Sequence, residues 1–276
     1  MDDWIAELKK GQRALDVGSG PGSFPGSQTA GLLIALDEDV DAFAYAAPAA
    51  AGQARVFARS HRLPFAAGSI DLVLCHHSLE HIAELEGTLT EIARVLAPRG
   101  RVYVAVPNGH GLCDGVYRWV YEGGGHVNRF RRKELVELVE RRLGVKLVGW
   151  QKLYSSFAYL WRLAEMMENP PEGLAPRLQR IGRLPRRAIT GAQRLLYAGS
   201  RVADRWLGTD LAVYGWALWF DREGGAGEER PAYLNVCRAC GAGQPAEGIH
   251  LAAPGVFRCG ACGQGSPFVR PFGNTL

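Results

Sequence analysis

The sequence predicts an α/β protein on a doubly wound parallel sheet, with a helical insertion late in the sheet and a small module at the C-terminal end. Three observations predict it. Short apolar runs alternate with helical patterns over the first two thirds of the 276 residues, as in a parallel sheet wrapped by helices. A glycine loop, "LDVGSGPGS" at residues 15–23, follows the first of those runs, where an open parallel sheet binds its ligand. Two CxxC pairs close to the C-terminus then stand apart from both patterns.

Strands are expected at residues 14–17, 32–36, 55–58, 70–75 and 101–106, with two more at 145–152 and 211–220. The clearest helices are 85–96, closed by "APRG", and 132–143, in which Leu135, Leu138, Val139 and Leu143 recur at helical spacing before Gly144. Residues 153–210 read as a helical insertion broken by "NPPEG" and "LPRR". Within it, residues 176–205 hold eight arginines against the single acid Asp204. That strip carries +7 in a chain whose total is +4, so the remainder is mildly acidic. Leu195, Ala198, Val202 and Trp206 recur at helical spacing there, and most arginines lie off their face. The expected domains are residues 1–221, a polar, glycine-rich linker at 222–231, and a second domain at 232–276.

No apolar stretch of signal-peptide or membrane-spanning length is present, so a cytoplasmic location is expected, with a peripheral position at a membrane left open. Nearly half the residues are apolar, which excludes a disordered chain.

The glycine loop poses a question of charge. A dinucleotide fingerprint requires glycine at its first, third and sixth positions, and here Gly18 and Gly20 are followed by Ser23 in the sixth. "FPGS" after the loop disfavours the helix that would present amides to a pyrophosphate. Asp16 would repel the same anion. A ligand carrying an ammonium and a sulfonium reverses that sign.

Five blocks, "LDVGSGPG", "IALDED", "LPFAAGSIDLVLCHHSLEHI", "LTEIARVLAPRGRVYVAVPN" and "HVNRFRRKELVEL", occur in an order that resembles the class I methyltransferases dependent on S-adenosylmethionine (SAM), in particular their small-molecule, type 11 branch. The likeness covers residues 13–149 and the last strand. It implies a Rossmann-like methyltransferase fold, with Asp16, Gly18 and Gly20 lining the methionine part of the cofactor and Asp37 accepting the ribose hydroxyls. Asp37 equally suits the cap of a following helix. Leu63 would flank the adenine pocket, and the segment from Cys75 to His81 would run under the cofactor. Where the family has an acid against the adenine amino group, this chain has Arg59, and a backbone carbonyl or the Ser60 hydroxyl would be the substitute.

Methyl transfer from a sulfonium needs in-line positioning first and a base only for a hydroxyl or protonated amine. His77, His81 and His126 are the candidates for such a base. The family's motifs for methylating base amines and cytosine C5 are absent, which leaves a small-molecule or lipid-linked acceptor as the expected substrate. An RNA acceptor held by the arginine strip and a non-catalytic scaffold are the alternatives.

Cys237, Cys240, Cys259 and Cys262 form two CxxC pairs separated by 18 residues, each followed by glycine. This is zinc-ribbon spacing, in which four thiolates fill a structural Zn2+ site. The ribbon suits a protein partner, a nucleic acid, or plain stabilisation of the tail, while the Arg177 to Arg205 strip suits RNA or an anionic membrane surface.

Overall fold

The apolar runs become strands at the expected places. The structure is a computed structural model that describes residues 2–24, 29–41, 53–121, 125–154, 180, 184–223, 234–237, 239–245, 249–253 and 256–268. Strands β1 (Arg13–Val17), β2 (Leu32–Asp37), β3 (Gln53–Phe57), β4 (Ile70–His76), β5 (Leu96–Pro107), β6 (Lys146–Tyr154) and β7 (Val213–Asp221) form a seven-stranded sheet in the order β3-β2-β1-β4-β5-β7-β6. β1 pairs in parallel with β2 and β4, β2 with β3, and β4 with β5. The order reverses between β1 and β4, so the loops leaving these two strands flank a crevice at the carboxyl edge. Central β1 and β4 are buried along most of their length, whereas β6 at the edge alternates exposed and half-buried residues.

Among the described residues the helices are α1 (Asp2–Ala6), α2 (Leu85–Val95), α3 (Leu112–Val120), α4 (Arg132–Leu143) and α5 (Arg186–Leu207). In α2, Thr88, Leu89, Ile92 and Val95 bury one helical stripe. The "APRG" expected as a turn is instead the start of β5, because Leu96 adopts an extended conformation directly after the helix. Arg222 replaces the turn as a cap. Its guanidinium donates to the carbonyls of Ala93 and Leu96 at the end of α2 and of Leu143 at the end of α4, satisfying carbonyls that a helix end leaves open. Residue 222, expected to open a linker, is thus anchored. Gly144, at φ +65°, ends α4 as the sequence predicts.

The chain divides into two compact units, one of residues 1–105, 136–149 and 218–276, the other of 106–135 and 150–217. In the second, α5 accounts for part of the predicted helical insertion, from Pro185 at its start to left-handed Gly208 at its end. Residues 155–179, 181–183 and 224–233, and with them most of the aromatic run after Trp150 and most of the linker, lie outside the described residues. So do Pro25 and Gly26.

The C-terminal module belongs to the first unit. Its strands β8 (His250–Ala253), β9 (Val256–Arg258) and β10 (Gly265–Pro267) form an antiparallel sheet over a core of Cys237, Ile249, Phe257 and Cys259. It docks by backbone pairing: Asn235 bridges Phe65, Ala66 N–H donates to Leu234 O at 2.9 Å, and Val236 N–H donates to Pro64 O at 3.1 Å.

Candidate functional site

The crevice predicted at the strand reversal is a cleft of about 550 Å³ in the first unit, with Gly18, Gly20, Asp37, Ser60, His77 and His81 among its lining residues. The loop after β1 turns back on itself at three glycines: Gly18, Gly20 and Gly22 have φ of +67°, +53° and +118°. Side chains disfavour this region. A Cβ on Gly18 would also lie 2.7 Å from the Ser78 Cβ, so the loops leaving β1 and β4 meet only because residue 18 has no side chain. Gly18 and Ser19 N–H both donate to Leu36 O at 2.8 and 3.0 Å, which holds the loop on the end of β2.

Asp37 completes that end. Its Oδ2 accepts the Gly20 N–H at 2.7 Å and its Oδ1 accepts the Asp39 N–H at 2.9 Å. Each oxygen retains a lone pair for a further donor from the cleft. The Asp39 bond closes a turn after β2, the residues at 42–52 that would hold a following helix lie outside the described residues, and the Gly20 bond ties the same carboxylate to the ligand loop.

Asp16 is buried, and its Oδ1 has no hydrogen-bond partner among the described residues. Burial pushes its carboxyl up to about 7, against hydrogen bonds from the Ser23 side chain and backbone, and the nearby Asp37 charge adds to the rise. A buried carboxyl with an open oxygen, beside an anionic neighbour, is suited to a cation and hostile to a phosphate. These residues fit SAM: Asp16 toward its ammonium, Gly18 and Gly20 as the close-approach cradle, and Asp37 toward the ribose.

The other expected cofactor residues separate into two groups. Ser60 lines the cleft, but its hydroxyl already shares a 2.8 Å hydrogen bond with Thr88. Leu63 and Cys75 are buried and are not among the cleft-lining residues. Leu63 is held from behind: its N–H donates to Glu91 Oε2 at 2.7 Å and its carbonyl accepts from Arg94. Burial, followed by the charges of Asp16 and Glu80, raises the Cys75 thiol far above its ordinary range, so it is inert. Arg59 lines the cleft and lies 3.7 Å from Glu38 at its exposed rim. Past Arg59, a second hollow of about 610 Å³ shares Glu38, Ala58, Arg59 and His61 with the cleft and is closed by Ala239, Gln264 and Gly265 of the C-terminal module.

His77 sits at the tip of β4 with φ +53°, an unusual conformation for a residue with a side chain, and its Nδ1 lies 3.3 Å from Glu80 Oε1. His81 lines the same cleft. His126 belongs to the second unit. There its Nδ1 lies 2.8 Å from Asp114 Oδ1, its ring stacks on Tyr117 with centroids 5.0 Å apart, and Asp114 is buried while His126 is partly so. A carboxylate on Nδ1 fixes the tautomer and orientation of an imidazole. Neither Glu80 nor Asp114 stands out in the sequence, because an acid three or twelve residues from a histidine carries no distinctive spacing.

The four cysteines of the C-terminal module converge. Their sulfurs all lie within 4.8 Å of one another, with Cys237 to Cys262 at 3.6 Å and Cys240 to Cys259 at 3.7 Å. A tetrahedral ion with zinc–sulfur bonds of about 2.3 Å sets sulfurs about 3.8 Å apart. The two loops are equivalent: Gly241 and Gly263 N–H donate to Cys237 O and Cys259 O at 2.8 Å in both, and Ala239 and Ala261 N–H donate to Cys237 Sγ and Cys259 Sγ at 3.4 Å in both. Without an ion the Cys237 and Cys262 thiols titrate apart. Burial opposes ionisation of Cys237, but Ser266 and backbone N–H groups outweigh it and bring that thiol down to about 6. Despite a backbone hydrogen bond from Gln264, the neighbouring sulfurs push Cys262 up to about 12. Four thiolates at this spacing need a cation between them.

The comparisons with known proteins agree with the geometry. Residues 15–104 match the family described as a methyltransferase domain. An uncharacterised methyltransferase of Mycobacterium tuberculosis (strain ATCC 25177 / H37Ra) is 36% identical over 111 residues, 38% of this chain and 44% of that protein. The malonyl-[acyl-carrier protein] O-methyltransferase of Methylococcus capsulatus is 31% identical over 140 residues, 48% of this chain and 51% of that protein. The alignments thus span about half or less of these relatives. Among solved structures, the [4+2]-cyclase SpnF superposes with a TM-score of 0.55 at 20% identity, covering 81% of this chain and 80% of that one, which is a likeness of fold. Residues 15–104 are thus similar to methyltransferase domains, and the fold of the chain is Rossmann-like.

Proposed function

We propose that the protein transfers the SAM methyl group to a small or carrier-linked acceptor, including lipid-linked ones, and that its C-terminal module is a structural zinc ribbon. The single observation that carries the first part is the Gly20 to Asp37 hydrogen bond at 2.7 Å beside the open, buried oxygen of Asp16. That arrangement offers one carboxylate for neighbouring hydroxyls and another for an ammonium, at the two sides of one glycine loop. SAM supplies an electrophilic methyl whose departure leaves a neutral thioether. The chain itself has to hold the acceptor in line and exclude water.

The malonyl-[acyl-carrier protein] O-methyltransferase relative supports an oxygen acceptor presented on a carrier. A carboxylate acceptor arrives ionised and requires no base. For a hydroxyl acceptor, a base is drawn from His77, His81 and His126, of which His126 has a carboxylate, Asp114, on its Nδ1 at 2.8 Å and His77 has Glu80 at 3.3 Å. Radiolabelled methyl transfer from SAM to a panel of acyl-carrier thioesters, free carboxylates and hydroxyl compounds tests the proposal. Transfer to one acceptor class, abolished by Asp37→Ala, supports it. Binding of SAM without turnover on any class overturns it in favour of the non-catalytic alternative.

For the ribbon, matched knuckles and sulfur spacing support zinc, with all four positions occupied by protein and none open for catalysis. One equivalent of zinc released by thiol modification is the expected result.

A further inference from the structure

Helix α5 has two apolar faces, and only one is used by the fold. Ile189 and Ser200 are buried, and Gln193, Leu196 and Ala203 continue the same stripe half-buried. On a separate side Leu195, Val202 and Trp206 recur at spacings of seven and four and are 76%, 56% and 78% exposed. Ala188, Ala198 and Gly199 fill that outer stripe with small residues, all exposed. A soluble helix ordinarily keeps such residues inward or scattered.

The charges are arranged about the same stripe. Arg187, Arg194, Arg201 and Arg205 each precede a member of it by one residue, which at 100° per residue forms a single row along one flank. The only acid in the helix, Asp204, spends its oxygens on the end of the helix instead. Its Oδ1 accepts from Thr209 Oγ1 and Leu211 N–H, and its Oδ2 accepts from Ala212 N–H. Those bonds pull its carboxyl below the usual range in spite of desolvation. Arg201 lies over the Tyr154 ring at 4.2 Å, so one arginine is partly braced and the others are exposed.

We propose that α5 is a docking surface for an anionic lipid membrane. Its apolar stripe enters the headgroup boundary, with Trp206 at the depth that aromatic rings favour, while the arginine row reaches lipid phosphates from the flank. Phosphate contacts of a nucleic acid would use the arginine row alone and leave the exposed apolar stripe beside it without a partner. The surface lies in the second unit, and the inference does not depend on the reaction proposed above.

Sedimentation of the full-length protein with vesicles of phosphatidylcholine alone, or with a third of phosphatidylglycerol, tests it. The expected result is binding to the anionic vesicles only, weakened by salt, and lowered roughly thirtyfold by Arg187→Gln with Arg194→Gln. Leu195→Ser with Trp206→Ser lowers it as well, while both double variants keep the wild-type thermal melt and S-adenosylhomocysteine binding. Absence of binding to anionic vesicles, or equal binding to neutral ones, overturns the proposal. So does a lipid-free dimer that the Leu195 and Trp206 changes dissociate, which would assign the stripe to a second copy, or RNA binding lost with the arginines and kept without the apolar pair.

Discussion

At the scale of single residues, Asp16 makes the sharpest prediction. A carboxyl held up to about 7 by burial is half protonated at neutral pH, and a cationic ligand prefers it ionised. Cofactor binding therefore strengthens as pH rises through this value, by about tenfold between pH 6 and pH 8. Calorimetry with S-adenosylhomocysteine checks this, and Asp16→Asn removes the dependence. The sign for stability is opposite. The folded state holds a proton that the unfolded chain has already released, so the ligand-free protein loses stability between pH 4 and pH 7 from this group. The glycines give a graded pair. Gly18→Ala meets Ser78 at 2.7 Å in a positive-φ conformation, whereas Gly20→Ala has no atom within 4 Å. The first is expected to cost several kcal/mol and abolish binding, the second about 1 kcal/mol, measured by denaturant unfolding. Gly18, Gly20 and Asp37 were legible in the sequence because backbone conformation and strand ends dictate residue type. Leu63 and Cys75 were placed in the same site only by likeness to a family, and both are buried and absent from the residues that line the cleft.

At the scale of elements, the segment "LPFA" is bonded both by α2 and by the C-terminal module. Arg94 on α2 donates to Leu63 O and Phe65 O and forks onto Glu91, while Glu91 accepts from Leu63 N–H. The C-terminal module pairs with this same segment. Arg94→Met strips four bonds at once and is expected to destabilise the domain by roughly 2–4 kcal/mol. Although burial opposes its ionisation, the Arg94 contacts hold Glu91 below the usual carboxylate range, so this contribution is full above pH 5 and fades as pH falls through its folded value. Chemical denaturation at pH 7 and pH 3.5, wild type against Arg94→Met, reads both effects. Strand positions and α4 were legible because apolar runs and a glycine stop mark them. The end of α2 was not: Arg222, more than a hundred residues away, caps it in place of a turn, and no local pattern announces such a partner.

At the scale of the whole molecule, the doubly wound sheet and the position of the cleft followed from the alternation of strands and helices together with the glycine loop, whereas the strand order did not. The docking of the C-terminal module beside the cleft did not either. It depends on backbone pairing, which has no side-chain signature. Because Ala239, Gln264 and Gly265 close the hollow that shares Arg59 and His61 with the cleft, stripping zinc is expected to loosen that wall and weaken cofactor binding severalfold. Titration before and after chelation, with zinc added back, checks this. Catalysis of any kind rests on the glycine loop and Asp37 forming the SAM site. Calorimetric titration of the zinc-replete protein and its Asp37→Ala variant with S-adenosylhomocysteine tests that most directly. Micromolar binding by the wild type, lost in a variant that melts at the same temperature, is the predicted result. A folded wild type that does not bind, or a variant that binds equally well, contradicts it.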